Sequence, residues 1–236
     1  EKDIMKKVGL IGYGYWGKIL LTKLEKLSDV KFVCTSKDDY LSELDLVEWV
    51  FVATPNITHY EIVKECLSKQ KNVFCEKPLT LTNKESEELF SLAEKNDIKL
   101  YVDDVFNYRT ETEQLHSQIN KVSEIKVISK SPFKNYLDDL FYHDLYLLYP
   151  ILSENLDISW PKINNINFSY EVANDKLHLV DGIDFTHKNN TNDAVFDMIK
   201  FVLQDNVDYI YNKEVSLFSC SVIEEIKRNM SEEISE

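Results

Sequence analysis

Three glycines near the start of the chain have the spacing of a dinucleotide-binding loop. Gly12, Gly14 and Gly17 form G-x-G-x-x-G, after an apolar run that favours a buried strand and before a helical pattern. The first glycine permits a tight turn, the second lets backbone approach a pyrophosphate, and the third lets helix and strand pack closely. The pattern predicts NAD or NADP as cofactor; a tight turn without a ligand is the alternative. The predicted cofactor-binding residues here are Gly12, Tyr13, Gly14, Tyr15, Trp16 and Gly17.

The segment after the second predicted strand bears on the choice of cofactor. NAD-specific sites usually carry an acidic residue at this strand end, about 20 residues after the glycines. Here the hydroxyls of Thr35 and Ser36, with Lys37, are predicted to bind the cofactor and could accept a 2′-phosphate. This favours NADP binding at least as well as NAD. Asp38 or Asp39 could still reach a ribose if the loop folds back, and a solvated turn is the remaining alternative.

Lys77 and His143 have the chemistry that hydride transfer from a carbinol carbon requires. The hydroxyl proton needs a base, and imidazole titrates near neutral pH. His143 lies four residues after Asp139, so on a helix the carboxylate could orient the ring or hold a sugar hydroxyl. The Lys77 ammonium would stabilise negative charge on the reacting oxygen. We therefore predict Lys77, His143 and Asp139 as catalytic residues; a satisfied histidine on a surface helix is the alternative for His143.

Residues 53–60, Ala-Thr-Pro-Asn-Ile-Thr-His-Tyr, and the tripeptide Glu-Lys-Pro at 76–78 resemble the two signature segments of the Gfo/Idh/MocA oxidoreductase family. Residues 102–109 and 139–144 extend the resemblance in the expected order. It covers the first 150 residues closely and the remainder loosely. The motifs look most like the branch that oxidises nucleotide sugars.

The resemblance implies specific roles for several of these residues. Thr54, Pro55 and Asn56 would line the nicotinamide side of the cofactor, Glu76 would also contact it, and Lys77 would sit between cofactor and substrate. It further implies a cis peptide bond before Pro78. The chain departs from the family pattern at Phe141, where glycine is usual, at Tyr146, where many members carry aspartate, and in a shorter second domain.

The first hundred residues alternate strand and helix patterns, which predicts a doubly wound parallel Rossmann sheet. The predicted strands are 8–11, 30–34, 49–53, 72–75 and 98–102, and the predicted helices are 18–27, one from Thr58 and one ending at Lys95. Two capping boxes, Thr58 to Glu61 and Thr82 to Glu85, mark helix starts. Residues 36–48 are too few for a usual crossover helix. This α/β domain is predicted to span 1–107.

Beyond residue 107 the patterns are mixed, which predicts a shortened α+β domain, for substrate binding and oligomerisation, over 108–236. We expect three or four strands, including one at 124–129 and a hairpin between 163–171 and 176–180. Helices are predicted at 110–121, 138–152, 193–203 and 214–228, and the last helix is expected to pack back on the first domain.

Composition excludes several functional classes. The net charge is −14 without a basic stripe, so binding to nucleic acid is not expected. No apolar run reaches the roughly 20 residues that span a bilayer, and the N-terminus lacks a signal-peptide pattern, so we predict a cytoplasmic protein with no membrane contact.

The four cysteines lack metal spacing and are interpreted as free thiols, three of them in the core, with no metal site. His59, His116, His178 and His187 lack a carboxylate or second ligand at productive spacing and are interpreted as structural or solvated.

The sequence thus favours an NAD(P)-dependent oxidoreductase acting on a hydroxyl or keto carbon of a sugar or nucleotide sugar. Two alternatives stay open: a non-catalytic dinucleotide-binding sensor or regulator of the same fold, and reduction of a C=N or C=C bond. A homodimer or larger homo-oligomer is expected through the second domain's sheet, whose faces and edges would otherwise meet water.

Overall fold

The computed structural model describes residues 5–35, 37–130, 137, 141–153, 156–159, 162–174, 176–186 and 193–233. It divides into two compact units, one made of 1–103 with 195–220 and the other of 104–194 with 221–236. Across the described part of the chain, no helix combines the length and the apolar character needed to cross a bilayer.

The first unit is built on a five-stranded parallel sheet with the order β2-β1-β3-β4-β5. This confirms the predicted Rossmann-like architecture. The strands are β1 (Lys7–Ile11), β2 (Asp29–Cys34), β3 (Trp49–Val52), β4 (Asn72–Cys75) and β5 (Leu100–Val102). The helices between them are α1 (Tyr15–Leu27), α2 (His59–Ser68) and α3 (Asn83–Lys95), and a short 3₁₀ helix, Leu41–Leu46, replaces the crossover helix between β2 and β3.

The register of the sheet brings several loops to one edge. Ile11, Val52 and Cys75 lie side by side at the carboxyl ends of β1, β3 and β4. The N–H groups of Ala53 and Glu76 then donate to the carbonyl oxygens of Ile11 and Val52 at 2.8 and 2.9 Å. The loops that follow the three strands therefore start together, as expected where strand order reverses in a doubly wound sheet.

An aromatic ladder crosses the sheet at its centre. Phe51, Phe74 and Tyr101 occupy matching positions on β3, β4 and β5, with ring centroids 4.9 and 6.1 Å apart. Tyr209 meets the edge of the Tyr101 ring at 6.1 Å. It begins a long helix, Tyr209–Glu233, that follows the helix Ala194–Leu203. Such aromatic pairs stabilise the sheet beyond their burial alone.

Asn212, on that long helix, completes the edge of the sheet. Its Oδ1 accepts from the Val102 N–H and its Nδ2 donates to the Val102 carbonyl oxygen, both at 2.9 Å. The side-chain amide thus pairs with β5 as the backbone of a neighbouring strand would, and it satisfies the buried N–H and carbonyl groups of Val102.

The second unit holds a mixed six-stranded sheet with the order β11-β10-β6-β9-β8-β7. Its strands are β6 (Glu124–Ser129), β7 (Ile158–Ser159), β8 (Lys162–Ile163), β9 (Ile166–Val172), β10 (Leu177–Val180) and β11 (Ile183–Asp184). The expectation of three or four strands was wrong, because three of the six are only two residues long. The remaining helices of the chain, in order, are α4 (Thr110–His116), α5 (Phe141–Leu152), α6 (Ala194–Leu203) and α7 (Tyr209–Glu233), of which almost all of α6 and the first part of α7 belong to the first unit. A separate 3₁₀ turn, Ile119–Lys121, follows α4, and the predicted start of α5 at 138–140 lies outside the described residues.

The predicted hairpin between β9 and β10 is wrong. Both strands pair with β6, β9 in parallel and β10 antiparallel, so β6 lies between them. Ile125 and Val127 of β6 are fully buried, which makes this strand the apolar centre of the sheet. The tight hairpins form instead at Asn164 and at Asp181-Gly182, where positive φ angles of 53°, 49° and 82° allow the chain to reverse.

Thr58 does not form the predicted capping box. Its hydroxyl lies 2.8 Å from the Thr54 hydroxyl and 2.7 Å from the Pro55 carbonyl oxygen, facing back over the 3₁₀ turn that precedes α2. The second cap is confirmed, since the Thr82 hydroxyl accepts from the Glu85 N–H at 3.3 Å. The cysteines are free, with Cys66, Cys75 and Cys220 buried, as predicted.

Candidate functional site

The glycine loop after β1 needs two of its glycines for its own packing. Gly12 has φ +108°, and a Cβ placed there would lie 2.3 Å from the Ala53 carbonyl oxygen. A Cβ on Gly17 would lie 2.0 Å from the Gly12 carbonyl oxygen. Larger residues at either position would collide with backbone, so these two glycines follow from the close packing of strand, loop and helix.

Gly14 differs from the other two, because a Cβ there would meet no atom within 4 Å. Gly14 is the residue before α1, it has no side chain to cap the helix, and the first turn of α1 carries no acidic residue. The first backbone N–H groups of a helix have no partner within the helix, and together they carry a partial positive charge. This arrangement suits an anionic group such as a pyrophosphate.

The aromatic residues of the loop flank this space. α1 begins at Tyr15, so Tyr15 and Trp16 belong to its first turn and meet edge to face at 5.5 Å. Tyr15 is 72% exposed and Tyr13 is 49% exposed. Large exposed aromatic rings next to an open backbone cradle offer apolar surface to a bound ligand.

The turn after β2 folds back on itself. The Asp38 carboxylate accepts a hydrogen bond from the Thr35 N–H at 2.6 Å, and the Thr35 hydroxyl accepts from the Lys37 N–H at 3.3 Å. Hydrogen bonds to the carboxylate, first from the Thr35 backbone and then from the Thr35 side chain, hold the pKa of the exposed Asp38 carboxyl below its ordinary value. The Gly12 N–H donates to the Cys34 carbonyl oxygen at 2.7 Å, which ties this strand end to the glycine loop. Ser36, the remaining predicted residue here, lies outside the described residues.

The loops after β3 and β4 carry the other predicted residues of the first unit. Thr54 is buried, Pro55 is exposed and Asn56 begins a 3₁₀ turn. Glu76 and Lys77 are both buried, with 6% and 7% of their surface exposed. The Lys77–Pro78 peptide bond is cis, as the resemblance implies.

His59 connects these two loops, a role that sequence reasoning missed. Its ring is fully buried, with Nδ1 2.8 Å from the Pro78 carbonyl oxygen and Nε2 2.8 Å from the Thr54 carbonyl oxygen. Burial lowers the pKa of His59, the hydrogen bonds to these carbonyl groups act in the opposite direction, and the nearby charge of Lys77 lowers it further.

The second unit contains the predicted residue His143. It lies on α5, is 6% exposed, and stacks on Phe106 with ring centroids 4.2 Å apart and an angle of 8°. The Arg109 guanidinium lies 5.2 Å from the centres of both the Phe106 and Phe185 rings and donates through Nη1 to the Phe185 carbonyl oxygen at 2.6 Å. Asp139, the predicted partner of His143, lies outside the described residues.

A buried hydrogen-bonding contact next to His143 was not predicted. Asp144 is fully buried, and its Oδ1 lies 2.7 Å from Nε2 of His178 on β10. Sequence reasoning missed this partner because 34 residues separate the two side chains. A signal was available: His178 and Val180 are the buried residues of an alternating strand, and a buried imidazole requires a polar partner.

These features define a dinucleotide-binding protein of the Rossmann class, and comparison with known families agrees. Residues 21–104 match the oxidoreductase family with an NAD-binding Rossmann fold, GFO_IDH_MocA. This match confirms the resemblance to the Gfo/Idh/MocA oxidoreductase family that the sequence motifs indicated. The predicted cofactor class, NAD or NADP, is confirmed at the level of the family.

Individual relatives give a finer comparison. Glucose-6-phosphate 3-dehydrogenase from Bacillus subtilis is 29% identical over 123 residues, which cover 44% of this chain and 35% of that protein. The chain spans about a third or less of the length of the curated relatives that it matches.

Several solved structures, two dehydrogenases among them, resemble the chain over most of its length. UDP-N-acetylglucosamine 3-dehydrogenase GnnA from Acidithiobacillus ferrooxidans has a TM-score of 0.76 at 14% identity, covering 93% of this chain and 96% of that one. The WlbA (WbpB) dehydrogenase from Thermus thermophilus, in complex with NAD and UDP-GlcNAcA, has a TM-score of 0.69 at 13% identity, covering 93% and 95%. At these identities the similarity establishes the fold alone.

Proposed function

We propose that the protein is an NAD(P)-dependent oxidoreductase that transfers a hydride between the nicotinamide and a hydroxyl or keto carbon of a sugar or nucleotide sugar. The observation that carries the proposal is the open space at Gly14, in front of the uncapped first turn of α1. The sugar substrates named for the relatives support the substrate class. Under this proposal residues 1–107 bind the dinucleotide and residues 108–236 bind the substrate.

Three side chains would handle the reacting hydroxyl. The dinucleotide, which the glycine loop at Gly12, Gly14 and Gly17 would hold, would supply the hydride acceptor for the carbinol carbon. His143 would take the hydroxyl proton, with Asp139 orienting its ring or holding a neighbouring hydroxyl. Lys77 would donate a hydrogen bond to the same oxygen and stabilise its developing negative charge.

Cofactor binding is the first test, because it requires no knowledge of the substrate. NADH and NADPH are titrated into the protein and nicotinamide fluorescence gives each dissociation constant. We expect binding by the parent chain and a loss of at least about tenfold in Gly14→Val, because the valine side chain would fill the space left for the pyrophosphate. Equal affinity in a folded Gly14→Val variant would mean that the dinucleotide binds elsewhere.

The substrate class is tested by following nicotinamide absorbance with a panel of sugars, inositols, sugar phosphates and UDP-sugars. Turnover with any of them supports oxidoreduction at a CH–OH carbon. Turnover only with imines or activated alkenes would instead support reduction of C=N or C=C bonds.

We further propose that the cofactor is NAD rather than NADP. The Asp38 carboxylate turns back to the end of β2, where an acidic group usually binds ribose hydroxyls. Its negative charge would repel a 2′-phosphate. NADH should therefore bind more tightly than NADPH, and Asp38→Asn should narrow the difference while Asp39→Asn should not. If the protein instead prefers NADPH and Lys37→Ala abolishes that preference, the result would support the interpretation that Thr35 and Lys37 bind the 2′-phosphate of NADP.

A second candidate is a non-catalytic NAD(P)-binding sensor or regulator. The observation that favours it is the burial of His143 with its ring face against Phe106, as in a packed core histidine. Tight NADH binding without turnover of any substrate in the panel would support this candidate.

We also propose a homodimer or larger assembly through the six-stranded sheet. This sheet carries an exposed apolar side chain, Val172, which is 63% exposed and which a partner subunit would cover. Light scattering at micromolar concentration tests it, and a monomeric mass throughout would exclude it. A cytoplasmic location stays a prediction from the composition.

A further inference from the structure

His59 makes two hydrogen-bonding contacts that a single neutral imidazole cannot both satisfy. Each ring nitrogen lies 2.8 Å from a backbone carbonyl oxygen, one in the loop after β3 and one in the loop after β4. A carbonyl oxygen only accepts hydrogen bonds, and a neutral imidazole carries one N–H donor. Both contacts are therefore attractive only when both ring nitrogens carry a proton.

The loops joined by His59 are the ones that carry the residues predicted to face the nicotinamide. Thr54 is followed by Pro55 and Asn56, and Pro78 is preceded by Lys77. The glycine loop touches the first of them, since a Cβ on Gly12 would lie 2.8 Å from the Thr54 nitrogen. A change at His59 would thus reach the position of the loop that bears Lys77.

We propose that His59 is a positioning residue that, when protonated on both ring nitrogens, clamps the loop after β3 to the loop after β4 in the arrangement that binds the dinucleotide. The neutral ring holds only one of the two loops. The inference rests on the proposed function in so far as it concerns cofactor binding. Holding two binding loops in advance of the ligand raises affinity, because less order has to be imposed on binding.

The charges around His59 determine the direction of the pH dependence. Burial and the Lys77 charge lower the pKa of the ring, so the second proton is gained only as the pH falls below the ordinary value of about 6.5. A lowered pKa means that the fold is most stable above that value and loses stability as the pH falls. Cofactor affinity should change in the opposite direction, because the proton completes the clamp. If His59 only supported the fold, the stability of the protein and its affinity for the cofactor would fall together as the pH falls.

The protonation state is tested first, without any cofactor. Protein labelled with ¹⁵N-histidine is titrated from pH 8 to pH 5, and His59 is assigned by the signals missing in His59→Gln. We expect one ring nitrogen to gain a proton with a midpoint below about 6.5, giving an imidazolium. A neutral ring down to pH 5 in the folded protein would overturn the inference.

The clamp is then tested with NADH freshly dissolved at pH 5.5 to 8. The parent protein should bind at least about fivefold more tightly at the low end while its unfolding temperature falls. His59→Gln keeps a single donor nitrogen, so it should bind about as weakly as the parent at pH 8 and show neither trend. His116→Gln is the matched control, since partial burial lowers the pKa of that histidine on α4 as well.

The same affinity trend in His59→Gln would overturn the clamp. If no variant binds NADH at any pH, the proposed cofactor site fails, and the nitrogen titration alone decides the protonation state of His59.

Discussion

The two units present their candidate residues in different ways. In the first unit the cofactor loop is made of backbone, with Gly14 leaving open space before α1. In the second unit His143 is packed against Phe106, and its neighbour Asp144 is paired with a distant histidine. A binding surface made of backbone is determined by local sequence, whereas a packed polar cluster depends on contacts between residues far apart in the chain. This difference explains why the glycine loop and the Glu-Lys-Pro tripeptide were recognised from sequence, whereas the contact between Asp144 and His178 was not.

The largest expected effect tests whether both units take part in chemistry. Once the substrate panel gives a substrate, Lys77→Met and His143→Ala should each lower turnover by roughly 10²- to 10⁴-fold with little change in NADH affinity. Lys64→Met and His116→Ala serve as controls that should keep normal turnover. If His143→Ala alone keeps its turnover, the second unit supplies packing rather than a base.

The buried pair in the second unit should dominate the stability of that unit. Asp144→Ala leaves a buried polar group of His178 without its hydrogen-bond partner and should lower the free energy of unfolding by about 3 kcal/mol. Urea unfolding followed by circular dichroism measures it, with the exposed Asp157→Ala as control. A loss as small as that of the control would show that the pair is not needed to hold α5 against β10.

Substitutions at two glycines of the first unit should distinguish an effect on the packing of the fold from an effect on cofactor binding. Gly17→Ala should destabilise the fold by about 3 kcal/mol, because its Cβ would collide with the Gly12 carbonyl oxygen. Gly14→Ala should unfold like the parent and still bind NADH more weakly. Thermal melts and NADH titrations on both variants measure the contrast, and equal melts with equal affinities would contradict it.

The smallest effect concerns the edge of the first sheet. Asn212→Ala removes both hydrogen bonds to Val102 and should cost about 1–2 kcal/mol in urea unfolding. Asn206→Ala, an exposed change just before α7, should cost almost nothing. Faster hydrogen exchange at the Val102 amide in Asn212→Ala would locate the effect, and unchanged exchange would argue against it.

Sequence patterns predicted the first unit well, because each βα unit there depends on local signals. All five strands, α3 with its Thr82 cap and the missing crossover helix were predicted from runs of a few residues. Thr58 was an exception, since its hydroxyl faces back to Thr54 and Pro55 rather than to Glu61. In the second unit the predicted hairpin failed because β6, distant in sequence, separates β9 from β10. The Asp181-Gly182 turn signal for the real hairpin was present but was not used.

The sequence by itself determined the class of protein, because a glycine loop between strand and helix and a Glu-Lys-Pro tripeptide are local patterns that only a few backbone conformations satisfy. Tertiary structure alone decided which residues hold these patterns in place. The His59 clamp joins residues 5 and 19 positions away, Asp144 pairs with His178 across 34 positions, and Asn212 completes β5 across 110. Hydrogen bonds between distant residues form only once the chain has folded, because local periodicity carries no information about which distant group will be buried beside a given side chain.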